Sequence, residues 1–165
     1  VAIHDSRPDP DVLFAMQSSD SDSWRKHLLE DASDIRRLLE ETHRIAVLGM
    51  KVEDWQPAFY VPEYAERAGY EIIPVPVYYP EITEILGHPV YRTVSAVPGE
   101  IDMVNVFRRP HDIPQHVEDI IAKRPKSVWF QLGISNDQAA EAFARAGIDV
   151  VQDRCLMVEL RMIGR

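Results

Sequence analysis

Three short groups of residues stand where an apolar run ends, and their side chains suit holding an anionic ligand better than making bonds. Gly49, Met50 and Lys51 follow the run 45–48; Phe107, Arg108 and Arg109 close the run 101–107; Asp153, Arg154 and Cys155 follow the run 148–151. Guanidinium forks match phosphate oxygens two at a time, so adjacent arginines at a strand end are candidates for phosphate contact. The plainer role for one of them is an ion pair with Asp112 or Glu118. A lone glycine after a strand serves a tight turn as readily as a close approach of phosphate. Catalytic patterns are missing: the sequence contains no Gly-x-Ser-x-Gly elbow, and His4, His27, His43, His88, His111 and His116 form no His-Glu-x-x-His helix. Glu53, Asp54 and Asp153 could gather only in the fold. Cys155, the single cysteine, excludes an internal disulfide or a multi-cysteine zinc site and leaves one free thiol.

The elements that position these groups follow from periodicity. Runs 45–48 and 72–75 bracket Tyr60, Val61, Tyr64, Ala65 and Ala68, which recur at helical spacing, so residues 44–76 predict strand, helix, strand. A crossover of this kind joins parallel strands with right-handed chirality and places the loop after Gly49 at the carboxyl edge of the sheet. Further strands are expected at 101–107, 127–132 and 148–151, with a short one near Val90. Helices are expected at 112–124, with Asp112 and Gln115 as a capping box, and from Ser135 to Gly147; a short helix ends the chain. Residues 23–42 carry Leu28, Leu29, Ala32, Ile35, Leu38 and Leu39 on one face, predicting an amphipathic helix that covers the sheet or meets a partner, so a homo-oligomer through this helix stays open. Residues 1–21 read as an extended or mobile arm and 22–165 as one domain.

Alternating strands and helices imply a Rossmann-like three-layer α/β/α fold with a mostly parallel sheet of five or six strands. With the order 3-2-1-4-5-6, the Val90 strand is third and the 101–107 strand fourth. The loop after Gly49 and the Phe107 to Pro110 segment then face each other across the switch point, where open α/β sheets bind ligands.

Composition narrows the partners. A net charge of −9 argues against broad nucleic-acid binding, which needs a basic face. No run approaches the roughly 18 apolar residues of a membrane span, and no secretory signal is visible, so a cytoplasmic protein is expected. NAD is disfavoured: Gly49 has no companion glycine before Gly69, and the second strand ends in Val75, Pro76 and Val77 where an acidic residue would hold the ribose.

Several motifs occur together in order: Ala68-Gly69-Tyr70 with Ile73-Pro74-Val75, then Ile85-Leu86-Gly87, Val106-Phe107-Arg108-Arg109, Trp129-Phe130-Gln131-Leu132-Gly133, and Asp153-Arg154-Cys155. In these the chain resembles the small stand-alone CoA-binding proteins, related to the nucleotide-binding domain of the succinyl-CoA synthetase alpha subunit, over residues 44–159. The resemblance implies CoA or acyl-CoA as ligand. It places the diphosphate near Gly49, Met50 and Lys51, with Gln56 and Ala58 at the start of the helix, and the adenosine near Val75, Pro76 and Val77. Phe107, Arg108, Arg109, Gln131, Gly133 and Cys155 line the remaining edge. The family usually has serine at the Lys51 position, Arg-Pro-Ser where Gln56, Pro57 and Ala58 stand, and Asn-Pro where Pro76 and Val77 stand. Lys51 could restore a charged contact, and the helix N-terminus still offers backbone N–H groups. Trp129 reads as core, and Gln131 as a partner for backbone near the crevice.

The expected function is non-enzymatic binding of CoA or acyl-CoA, as a carrier or metabolite sensor. The alternatives are an NAD(H)- or nucleotide-responsive regulatory module and a structural interaction protein with a degenerate site. If Arg108 or Arg109 meets the 3′-phosphate, its loss weakens CoA more than dephospho-CoA. If Cys155 is reachable, CoA disulfide should label it.

Overall fold

The computed structural model describes residues 9–12 and 21–165; most of the expected N-terminal arm lies outside these residues. Five strands, β1 (Arg44–Leu48), β2 (Glu71–Val75), β5 (Met103–Val106), β6 (Ser127–Phe130) and β7 (Asp149–Val151), form one sheet in the order β2-β1-β5-β6-β7. Every pairing in it is parallel. The apolar runs form these strands because both faces are buried. Ala46, Leu48, Val104, Val106, Val128 and Phe130 face one layer, and Ile45, Val47, Met103, Trp129 and Val151 face the other. The first layer holds α3 (Val117–Lys123) and α4 (Asp137–Arg145); the second holds α1 (Ala32–Glu41), α2 (Pro57–Arg67) and α5 (Leu156–Met162). The chain runs one way from β1 to β2 and the other way from β5 through β6 to β7, so the switch point falls between β1 and β5 as expected.

Where the elements differ from expectation, backbone hydrogen bonding supplies the reason. Among the described residues, no sixth strand joins the sheet beyond β2. Glu84–Ile85 (β3) and His88–Pro89 (β4) pair with each other as a separate antiparallel hairpin. Pro74 in β2 has no N–H to offer outward, and its carbonyl alone takes the Tyr91 N–H at 3.0 Å, so a ladder cannot extend past it. The helix expected over 23–42 is interrupted: Ser23–His27 is a 3-10 turn, and α1 begins only at Ala32. Between them Leu28 bridges Val150 and the Leu29 N–H donates to the Val150 carbonyl at 2.8 Å, covering the otherwise open edge of β7. Ile35, Leu38 and Leu39 of α1 are buried in this chain's own core, a contribution of about 1.5–3 kcal/mol each. The capping box at Asp112 and Gln115 does not form; Pro110–Asp112 and Pro114–His116 are 3-10 turns leading into α3. At α4 the cap is Asn136 rather than Ser135, its side chain accepting the Ala139 N–H at 2.9 Å.

Candidate ligand site

The crevice begins at Gly49, which has φ +83°. Its N–H donates to the Val75 carbonyl on one side at 2.9 Å, and the Phe107 N–H donates to the Leu48 carbonyl on the other at 2.9 Å. A β-carbon at position 49 would stand 2.3 Å from the Phe107 carbonyl oxygen and 3.3 Å from Cδ of Arg108. The glycine is therefore needed twice over, for its backbone angle and for the close approach of the β5 exit. Gly49, Phe107 and Arg108 meet as the topology requires.

The loop leaving β1 is tied down by a proline in the helix that follows. Pro62 lies inside α2 and cannot donate to the carbonyl of Ala58, four residues back; that carbonyl accepts the Lys51 N–H at 3.3 Å instead. Pro57 sits in the first turn, where a missing N–H costs nothing. The side chains of Met50 and Ala58 are buried, Met50 in the core beneath the loop. Gln56 is the N-cap residue without a side-chain capping bond, its carbonyl taking the Phe59 and Tyr60 N–H groups at 2.9 and 3.0 Å. Lys51 is half-buried, with Nζ 5.7 Å from the centre of the Tyr78 ring.

Arg108 is the hub of the mouth. It is 8% exposed, and three segments meet its guanidinium. Nε donates to Nε2 of His116 at 3.2 Å, Nη1 to the Tyr78 hydroxyl at 3.4 Å, and Nη2 lies 3.8 Å from the Asp112 carboxylate. Arg109 turns outward, and its Nε donates to Asp112 at 2.9 Å, the ion pair considered from the sequence. That hydrogen bond from Arg109 is the foremost reason the Asp112 carboxyl titrates below its ordinary range. Burial, followed by the Arg108 cation, pushes the His116 imidazole down. The accepting Nε2 and this depression agree on a neutral ring with its proton on Nδ1.

Opposite these groups, the loop after β2 brings the centre of the Tyr78 ring to 5.7 Å from both Lys51 Nζ and the Arg108 guanidinium. Val75 and Pro76 are buried, whereas Val77 and Tyr78 are exposed. Arg92 holds the loop by donating to the carbonyls of Tyr78, Tyr79 and Ile82 at 3.0, 2.8 and 2.7 Å. The Tyr79 hydroxyl donates to Glu53 at 2.7 Å, which lowers the Glu53 pKa and bridges the two loops. Sequence reading missed Tyr78, Tyr79, Arg92 and the part played by His116. The position of Tyr78 directly after Val77 was the available signal for the first; the others depend on long-range contact.

Gly133 and Cys155 lie farther along the edge. The Gly133 N–H donates to Asp153 at 2.6 Å. Cys155, half-buried, is the N-cap residue of α5. Gln131 connects them to the crevice: its N–H donates to the Val106 carbonyl, and its Oε1 accepts the Leu156 N–H, both at 3.3 Å. It satisfies backbone, as expected. Trp129 is fully buried, with Nε1 donating to the Arg154 carbonyl at 2.8 Å. Beside it in register, Asn105 is also fully buried, and its Oδ1 has no partner among the described residues.

An open parallel sheet with a glycine-pinched switch point, cations at its mouth and a helix N-terminus beside it defines a Rossmann-like α/β domain. Residues 43–161 match the CoA binding domain family, and the chain belongs to that family. It is 33% identical over 126 residues to the uncharacterized protein YneT of Bacillus subtilis, covering 76% of this chain and 91% of that one. A solved structure of a Thermus thermophilus protein shares 34% identity with a TM-score of 0.75, covering 81% of this chain and 99% of that chain. One from Pyrococcus horikoshii shares 32% identity with a TM-score of 0.76, covering 81% and 92%. Among the described residues, no helix is long and apolar enough to cross a membrane, and no group of histidine, cysteine and carboxylate side chains is placed to hold a metal ion.

Proposed function

We propose that this chain binds CoA or acyl-CoA in the crevice between β1 and β5 without turning it over, as a carrier or metabolite sensor. The observation that carries this reading is the seating of Arg108 against the Gly49 backbone, with the Arg108 guanidinium and Lys51 Nζ each 5.7 Å from the centre of the Tyr78 ring. The guanidinium contacts at 3.4 and 3.8 Å are longer than a charge-assisted bond of about 2.7–2.9 Å, so an anionic oxygen can replace them with gain. In this reading the diphosphate lies by Gly49, Met50 and Lys51 and the adenosine by Val75, Pro76 and Val77. NAD(H) is the weaker candidate because no carboxylate stands at the end of β2 to take the ribose hydroxyls.

Thermal unfolding with CoA, acetyl-CoA, NADH and ATP tests this choice. A ligand at about 100 times its Kd stabilises the folded state by about 2.7 kcal/mol, and CoA or acetyl-CoA is expected to give the largest shift. A larger shift with NADH sinks the CoA reading. No shift with any of the four favours an interaction protein with a degenerate site, a reading that draws on Arg108 being already partnered in the free chain.

The thiol end of the ligand extends in this reading toward β6 and β7, where Cys155 stands. Exposure to CoA disulfide is then expected to join one CoA sulfur to Cys155 Sγ and release the other as CoA thiol. Reductant should reverse the adduct. Intact mass reads the result. An unmodified protein after long exposure, with CoA binding established separately, makes Cys155 a packing residue only.

A further inference from the structure

We propose that His116 is a positioning residue for the ligand site, its neutral imidazole holding the Arg108 guanidinium with the Nη edge toward the crevice mouth. The proposal rests on the CoA reading and extends it to the control of the site by pH. Three contacts could orient this guanidinium, and their lengths decide among them. The Nε bond to His116, at 3.2 Å, is the shortest. Asp112 lies 3.8 Å from Nη2 and already accepts the Arg109 Nε at 2.9 Å; the Tyr78 hydroxyl stands at 3.4 Å on a half-exposed side chain. Nε is the donor outside the end-on Nη1/Nη2 pair. Fixing it sets the plane of the group and leaves Nη1 and Nη2 to face an anion.

The arrangement requires a lone pair on Nε2. A protonated His116 would present a second N–H to a donor that cannot turn into an acceptor, and a second cation beside the first. The charged groups acting on the ring are Arg108 from the β5 exit, Asp112 from the 3-10 turn before it and Asp119 from α3. Asp119 is itself committed, accepting the Val94 and Ser95 N–H groups at 2.7 and 3.2 Å. Because the folded state depresses the proton affinity of His116, this contribution to folding is complete above the ordinary histidine value of about 6.5 and is lost as pH falls through the lower folded value. Ligand affinity should fall as pH drops below that folded value, since the residue that aligns Arg108 is then disengaged.

Two substitutions and two readouts test this. His116→Gln keeps an acceptor but cannot ionise; His116→Phe keeps bulk and loses the acceptor. Calorimetric CoA affinity is expected to be similar in wild type and H116Q near pH 7.5. As pH is lowered stepwise from about 7.5 through the folded His116 value, wild type should lose progressively more affinity than H116Q, the gap reaching about tenfold only about one pH unit below that value, and the difference removing the titration of CoA's own phosphate. H116F should bind about tenfold more weakly than wild type already near pH 7.5. Parallel pH profiles for wild type and H116Q, or wild-type affinity in H116F, overturn the proposal. The second readout needs no ligand: in nitrogen NMR of the free protein, a protected Arg108 Nε–H is expected in wild type and H116Q and not in folded H116F. If that signal is the same in H116F, the positioning role fails whatever CoA does. If the signal behaves as expected but wild type binds no CoA, the binding reading fails and the positioning role stands.

Discussion

Gly49→Ala is expected to cost about 3 kcal/mol of stability and to remove CoA affinity from what remains folded. Two costs add. A β-carbon residue at φ +83° sits in the left-handed region, at about 1–2 kcal/mol. The new methyl also meets the Phe107 carbonyl oxygen at 2.3 Å and its carbon at 3.1 Å. Both belong to backbone that is hydrogen-bonded to Leu48, so relief requires β1 and β5 to part at their carboxyl ends, a strain of about 1–3 kcal/mol. Gly133→Ala is the internal control, because Gly133 has φ +82° with nothing within 4 Å of the added carbon. It should lose only the conformational part, about 1–2 kcal/mol. Urea unfolding of the two variants separates the terms, and equal losses would show that the crevice yields freely. Calorimetry on folded Gly49→Ala at low temperature then reads the site: wild-type affinity would remove Gly49 from it.

Arg108→Met is expected to weaken CoA at least about tenfold, a loss of about 1.4 kcal/mol or more, whereas Arg109→Ala should change it by less than about threefold. The contrast follows from placement. Arg108 is enclosed and lies on Gly49, and an enclosed charge interacts with an anion through a lower effective dielectric. Arg109 is exposed and held by Asp112, the kind of pair worth about 0–1 kcal/mol. Methionine keeps the unbranched stem that packs over the loop, so much of the fold should survive, although His116 loses its donor. Dephospho-CoA adds a second arm. In the proposed reading Arg108, beside Gly49, meets the diphosphate, so CoA and dephospho-CoA should weaken equally. A larger loss for CoA would move Arg108 to the 3′-phosphate. An Arg109→Ala effect as large as that of Arg108→Met would reverse the assignment of the two arginines.

The sequence by itself determined the layers of this protein, because both signals involved are local. Apolar runs such as 45–48 and 127–130 need burial on both faces, and the helices between them carry their apolar residues on one side; together they leave a parallel three-layer sheet as the consistent arrangement. The pairing of Gly49 with Phe107 and Arg108 was also legible, since chain reversal between the two βαβ halves places those loops side by side. Local pattern could not reveal where backbone groups find partners far along the chain. The missing N–H of Pro74 ended the sheet at β2, an open β7 edge drew Leu28 and Leu29 out of the expected helix, and Pro62 freed the Ala58 carbonyl for Lys51. The division of labour between adjacent arginines likewise lay beyond sequence. Arg108 and Arg109 are chemically identical, and only the folded chain turns one inward to His116 and Tyr78 and the other outward to Asp112, because the bend at residue 108 lays that side chain against Gly49 and leaves Arg109 exposed.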